Sequence, residues 1–488
     1  MKIFCYLLSS LFFYLLSPIT GFAQDLSYEE KAVQAVNQIV KESHATQGRE
    51  VWPGFDLADC PLIVTFGNGH VYAFNLQSQD SHWQKISIDN TPVLYSDKDY
   101  WGVCKGAMNP QFPIEGQRAY VFSLDQNSEN GEKLFEILVH ERFHRYQFEH
   151  FPMEKMGGHY VDDLNIENLT LMHMEEMALA NFLRSKGDAK QQLEYLKDFA
   201  SINQTRRLLL KNMSVLWEDH QQIMEGMAEY VSFKIFDVYP VFKPYDGNSK
   251  LKEMLDAYTR RPDITERAVK WRHYGIGAAM GYGLDFLHVK GWKKEVEKGI
   301  SMAALLLKAL DMSPQEMNER MAEVEVIYNY PSARQAVGQV VDGYKKAMDR
   351  LMGDYHRSEG VPVQIGRPKK SSISGGGTTA KTLYLADGTS ISLRDTSMMT
   401  NRENTWKLEL TEVPFVFLSR FGFREFKIEH DIQVELDGKS FLLKELMALE
   451  APLGFETIKL KGKACKFVAE KLPGEVSFVK GVLRVHFL

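Results

Sequence analysis

The chain of 488 residues contains only four cysteines, and one of these, Cys5, falls in an apolar leader. The remaining three, Cys60, Cys104 and Cys465, allow at most one intrachain disulfide, which excludes a scaffold stapled by many bridges. In an oxidising compartment the expected pair is Cys60 with Cys104, since both precede the same central helix, and Cys465 is left over. An excess of basic charge is also missing. Lys and Arg number 58 against 64 Asp and Glu, a formal net charge of −6, so nucleic acid is not an expected partner. Beyond the N-terminus no apolar run reaches the roughly 20 residues that a membrane-spanning helix needs, and no internal repeat stands out. The composition that is left, 44% hydrophobic and 25% charged, is that of a globular protein with room for two or three domains.

The N-terminus has the form of an export signal. Lys2 supplies a positive start, Ile3 to Leu16 is apolar, Pro18 breaks the run, and Gly21-Phe-Ala23 offers small residues for cleavage. The expectation is a signal peptide over 1–23 and an exported mature chain, secreted or periplasmic, with no transmembrane segment. The following 24–130 combine an amphipathic helix over 27–43 with strand-like runs at Pro61–Phe66, Val71–Leu76 and Ala119–Leu124. Residues 131–360 are mainly helical in pattern. A linker is expected over 361–381, where Ser371-Ser-Ile-Ser-Gly-Gly-Gly-Thr-Thr379 is rich in small residues. From 382 to 488 the pattern switches to period two, as in Trp406-Lys-Leu-Glu-Leu410 and Ile432-Gln-Val-Glu-Leu436. These features predict an α+β protein: a small mixed sheet with a helical body, then a C-terminal all-β domain of sandwich type. The β domain carries no catalytic cluster and is expected to bind a partner or surface, or to support the rest of the chain.

The chemistry concentrates in His140-Glu141-Arg142-Phe143-His144, which fits H-E-x-x-H. Histidines four apart lie one helical turn from each other on one face, so both imidazoles reach a single zinc ion. Glu141 is then placed to take a proton from a water activated by that ion. Leu134, Phe135, Leu138, Arg142 and Tyr146 recur at three- and four-residue steps, with Ile137 and Val139 adding bulk, which predicts a largely buried helix. Two histidines and a glutamate on such a helix need partners, and one metal ion serves all three.

A zinc hydrolase uses a third protein ligand and keeps a position open. Glu225 lies 81 residues beyond His144 (225 − 144), in a helical segment from Trp217 to Phe236. Glu229 follows four residues later on the same face, among Met, Ala, Tyr, Val and Phe, which weakens the plain reading of a solvated acidic face. One carboxylate is expected on the metal and the other behind a histidine. His150, His159, His173 and His220 read as surface or satisfied core histidines. The pair Glu175 and Glu176 beside His173 rivals Glu225 as a ligand source, but Leu171 to Ala180 is also a good ordinary helix, and that reading is preferred.

Together, His140-Glu-Arg-Phe-His144 and Glu225-Gly-Met-Ala-Glu-Tyr230 resemble the gluzincin metallopeptidases, the superfamily of thermolysin and aminopeptidase N. The resemblance spans about residues 50–290 and is specific at the two motifs; the 81-residue gap is longer than in familiar members. It implies one zinc ion held by His140, His144 and Glu225, with Glu141 as general base and Glu229 hydrogen-bonded to a zinc histidine. It implies a zincin-like catalytic domain whose edge strand pairs with an extended peptide or protein substrate. Tyr274-Gly-Ile-Gly-Ala278 is similar to the stretch whose Tyr stabilises the oxyanion in the aminopeptidase branch, and His273 is the alternative, as in thermolysin. Gly106-Ala-Met-Asn109 resembles the amino-terminus recognition stretch, but Asn109 stands where the family has Glu, which disfavours aminopeptidase activity. The expected activity is that of an exported zinc metallopeptidase. A zinc hydrolase of a non-peptide substrate and a silent peptidase-like binding protein remain the alternatives.

Overall fold

The computed structural model describes residues 51–487 and parts of 29–41, except 58–59, 104–107, 125–130, 153–159, 161–163, 239–245, 261–270, 358, 367–372, 377–379, 385–388, 395, 402–404, 412–414, 419–422, 449 and 463–464. The expected signal peptide, the turn residues 125–130 ahead of the HERFH helix and the Cys104 half of the expected disulfide lie outside the described residues. The fold is α+β, and the chain divides into two compact units, Thr20–Val340 and Val341–Leu488.

The first unit begins with helical residues within 29–41 and a six-stranded mixed sheet. The strands are β1 (Leu62–Phe66), β2 (Val71–Phe74), β3 (Gln84–Ile88), β4 (Thr91–Ser96), β5 (Met108–Ile114) and β6 (Gln117–Leu124), in the order β3-β4-β2-β1-β6-β5. β1 is parallel to β6 and antiparallel to β2, while β5 forms an edge, antiparallel to β6. A two-residue turn joins β5 to β6, with positive φ at Glu115 (47°) and Gly116 (74°), the geometry that matches strand twist. Both faces are covered. Leu62, Val64, Phe66, Tyr120 and Phe122 join the main core with the helices, whereas Ile63, Ala119 and Val121 belong to a second cluster on the opposite face. This period-two alternation is why β1 reads as a continuous apolar run. The helix over 29–41 docks through Val33, Val36 and Val40, and through Glu29, which accepts hydrogen bonds from Tyr72 (2.7 Å) and Asn68 (2.9 Å).

The helical body comprises α1 (Gly131–His150), α2 (Ile166–Arg184), α3 (Ala189–Leu209), α4 (Asn212–Gln221), α5 (Met227–Val238), α6 (Gly247–Thr259), α7 (Arg272–Phe286), α8 (Trp292–Glu297), α9 (Met302–Leu310), α10 (Pro314–Ile327) and α11 (Tyr330–Arg357). Starts are capped where the sequence offers a short polar side chain. Asn165 accepts from Asn168 N, Asp188 from Gln191 N, and Ser313 with Glu316 forms a capping box ahead of Pro314. One difference from the sequence pattern bears on the site. The segment expected as one helix from Trp217 to Phe236 contains a π turn over Gln222–Gly226, between α4 and α5. Among the described residues no helix is long and apolar enough to cross a membrane.

The second unit is β-rich, with one eight-stranded and one seven-stranded sheet sharing a single core. Phe467, on the strand Cys465–Ala469, meets Phe487, on the strand Val482–Phe487 of the other sheet, with ring centroids 6.4 Å apart. Cys465 is buried and unbridged. The structure corrects the expected linker. Val361–Ile365 is a strand inside the eight-stranded sheet, antiparallel to Phe423–Ile428 and parallel to Val482–Phe487. Ile373–Gly376 pairs with Thr396–Asn401 in the seven-stranded sheet. Val361, Val363 and Ile365 alternate with Pro362 and Gln364, so a short period-two pattern was masked by the small residues that follow. The division between the units falls within α11 rather than near residue 360.

Candidate metal centre

α1 packs on α5 with Leu138, Val139, Phe143 and Tyr146 in the main core, which leaves its polar residues little solvent to face. His140, Glu141 and His144 are all buried, and their ligand atoms lie within 4.8 Å of one another, a group able to hold a metal ion. One helical turn sets the two imidazoles with their Nε2 atoms 3.1 Å apart. From the π turn, Glu225 brings Oε2 to 3.5 Å from His140 Nε2 and 3.3 Å from His144 Nε2.

The tautomers follow from the groups behind the rings. His140 Nδ1 lies 2.8 Å from Glu229 Oε2. A carboxylate only accepts, so this nitrogen carries the proton and Nε2 presents its lone pair. His144 Nδ1 lies 2.8 Å from Gln147 Oε1. Gln147 Nε2 donates to the carbonyls of Ile223 (2.8 Å) and Met224 (2.9 Å) in the π turn, which fixes the amide's orientation and makes Oε1 the acceptor. With both rings neutral in that tautomer, two lone pairs and a carboxylate oxygen converge. Such an arrangement is repulsive unless a cation sits at its centre. A tetrahedral ion with bonds of about 2.0–2.1 Å has edges of about 3.3–3.4 Å, and the three separations here, 3.1, 3.3 and 3.5 Å, bracket that value. The residues present fit a metal with nitrogen and oxygen ligands.

The electrostatics agree. Burial alone would depress the His140 imidazole, but hydrogen bonds and charge from Glu225 and Glu229 push it up to about 10. Three buried carboxylates around two imidazoles thus demand positive charge, either a proton or a metal ion. Burial raises the Glu141 carboxyl above its ordinary range, and the like charges of Glu225 and Glu229 add to this. Burial would also raise Glu225, but His144 and His140 hold it well below.

The two expectations for oxyanion stabilisation separate in space, as adjacent helical positions point about 100° apart. Tyr274 stacks on His140, with ring centroids 5.6 Å apart and planes 6° from parallel. Burial, then the charge and hydrogen bond of Glu225, push its phenol well up, so it stays protonated and able to donate. His273 faces elsewhere: its ring meets Trp217 edge-on at 5.3 Å and Gln222 Nε2 lies 3.4 Å from its Nδ1. Burial and the charges of Arg272 and Arg206 hold that imidazole well below its ordinary value. Asn109 lies on edge strand β5, whose backbone is described while its side chain is not.

α7 approaches the π turn at backbone distance. A Cβ on Gly277 would lie 2.7 Å from Gln222 O and from Gly226 Cα, and one on Gly226 would lie 2.5 Å from Gly277 Cα. Only glycine fits at both, and this crossing brings Tyr274 beside Glu225. Behind it lies a fully buried ionic cluster. Arg206 bonds Glu175 (2.7 Å) and, through both terminal nitrogens, Glu218 (2.8 and 2.7 Å), while Arg272 bonds Glu175 (2.7 Å) and Glu176 (3.0 Å). Glu175 and Glu176 are therefore consumed by arginines, in keeping with the ordinary-helix reading of their segment. Sequence reasoning missed Arg206, Arg272 and Gln147. Gln147 follows His144 at a three-residue step, which is the one local hint that it shares the histidine face.

No protein-family model, curated protein or solved structure matches the chain. The functional reading rests on the geometry of the site.

Proposed function

We propose that the protein is an exported zinc-dependent peptidase of gluzincin type, with one zinc ion held by His140, His144 and Glu225. The observation that carries this reading is the convergence of His140 Nε2, His144 Nε2 and Glu225 Oε2, with both Nδ1 atoms committed to acceptors behind. Three protein ligands with an open fourth position are the pattern of a catalytic zinc site, whereas structural sites are closed by four. When bound there, zinc supplies Lewis-acid activation of water and of the substrate carbonyl.

The chain's own residues supply the rest. Glu141, buried next to the first ligand with its carboxyl raised above the ordinary range by that burial, accepts the proton of the attacking water and returns it to the leaving amine. Tyr274, kept protonated, donates a hydrogen bond to the carbonyl oxygen as negative charge develops. Glu229 and Gln147 hold the imidazoles in the tautomer that leaves Nε2 free. The outer edge of β5, unpaired among the described residues, offers an extended peptide a strand to pair with. The pattern from Lys2 to Ala23 supports export.

The decisive experiment combines metal analysis with a peptide-library digest of the full chain and of Glu141→Gln. One equivalent of zinc in both proteins is expected, with hydrolysis in the wild type reduced about 100- to 10,000-fold in the variant. Undiminished turnover by Glu141→Gln overturns the mechanism. Zinc without any peptide cleavage points instead to a non-peptide substrate or a silent binding protein.

A further inference from the structure

Two buried side chains beside the metal centre have no part in the chemistry above. His220 and Gln221 close α4, five and four residues before Glu225, and are 8% and 9% exposed. Among the described residues, His220 Nδ1 and Gln221 Oε1 are both buried without a hydrogen-bond partner. A buried polar group left unsatisfied is costly, and this pair, followed by Gln222 whose Oε1 also lacks a partner among the described residues, calls for an occupant.

Their placement follows from the π turn. An i→i+5 turn holds more residues than an α turn, so the positions four and five before Glu225 straddle its face, where an α helix would align mainly the fourth. Gln221 therefore leaves the helix close to the side that carries Glu225 to the imidazoles, with His220 on its flank. The pair keeps a little open surface, as do His140 and Tyr274 (6% and 5%), whereas Gln222 and Ile223 are closed at 1% each. Burial holds the His220 imidazole below its ordinary value, and the charge of Glu225 opposes this. A neutral imidazole and a carboxamide together offer donors and acceptors without net charge. That chemistry suits an uncharged amide and suits a carboxylate or an ammonium group poorly.

We propose that His220 and Gln221 bind the backbone amide of a peptide substrate beside the bond that is cut, an inference that rests on the peptidase reading. The test uses the full chain carrying Glu141→Gln, loaded with zinc, and fluorescently labelled casein peptides read by anisotropy, so binding is measured without turnover. Adding His220→Ala or Gln221→Ala should weaken binding about three- to tenfold, with zinc content and circular dichroism unchanged, and His220→Asn should recover part of the loss. Equal affinity in the parent and both alanine variants overturns the proposal and leaves the peptidase reading standing. A parent that binds no casein peptide overturns both. If the alanine variants misfold, His220→Phe and Gln221→Leu, which keep the volume and remove the hydrogen bonds, carry the comparison, and unchanged affinity in both is again fatal to the proposal.

Discussion

At the residue scale the candidate centre depends on side chains that would not themselves touch a bound metal. Glu229 and Gln147 decide which nitrogen of each imidazole is free, at 2.8 Å in both cases. Partners of this kind typically matter to metal affinity by about 10- to 100-fold. Glu229→Ala should accordingly lower zinc affinity by about that factor in competition with a chromophoric chelator, while far-ultraviolet circular dichroism stays unchanged. Wild-type affinity in this variant would show that Glu229 does not set the tautomer. The same four-residue spacing that suggested one shared face for Glu225 and Glu229 in the sequence proves to serve two ends of one imidazole. Gln147 was not singled out in the sequence, because a glutamine one turn past a histidine is usually a surface residue and only its burial marks it.

At the element scale the centre is made by a helix that departs from α geometry. The π turn at Gln222–Gly226 releases two carbonyls to Gln147 and passes against α7 at the Gly226–Gly277 crossing. Hydrophobic periodicity cannot reveal one inserted residue in a helix, since the apolar stripe merely shifts by part of a turn. Gly277→Ala inserts a methyl 2.7 Å from Gln222 O, which backbone cannot yield cheaply. It should destabilise the fold by about 1–3 kcal/mol in urea denaturation and reduce retained zinc, because the displaced element carries Glu225. A variant as stable as wild type with full zinc would show that the crossing is not a constraint on the site.

At the scale of the whole molecule, stability and site share a buried ionic cluster that ties α2, α3, α4 and α7 together through Glu175, Arg206, Glu218 and Arg272. Burial alone would raise the Glu218 carboxyl, but the charge and hydrogen bonds of Arg206, and then the charge of Arg272, hold it below 4.5. A depressed folded-state pKa stabilises above the unfolded value and loses that contribution as pH falls through the folded one. Acidification below about pH 4.5 should therefore lower the urea midpoint of the wild type. Glu218→Gln should be less stable at pH 7, by about 3–5 kcal/mol since Arg206 is left underpaired, and should show a shallower acid slope. Parallel acid slopes for the two proteins would mean that Glu218 makes no linkage contribution.

What the sequence determined by itself is whatever depends on near neighbours along the chain. The histidine spacing at 140 and 144 places both rings on one helix face, the unbroken apolar run of β1 marks a strand covered on both sides, and the change to period two after α11 marks a β-rich unit. What only the tertiary structure decided is whatever depends on residues distant in the chain meeting at a few ångströms. That includes Tyr274 rather than His273 facing His140, arginines rather than a metal consuming Glu175 and Glu176, and Val361–Ile365 serving as a strand instead of a linker. The reason is physical. Local periodicity determines which way a side chain leaves its own element, whereas the partner it meets there is chosen by packing across tens to hundreds of residues.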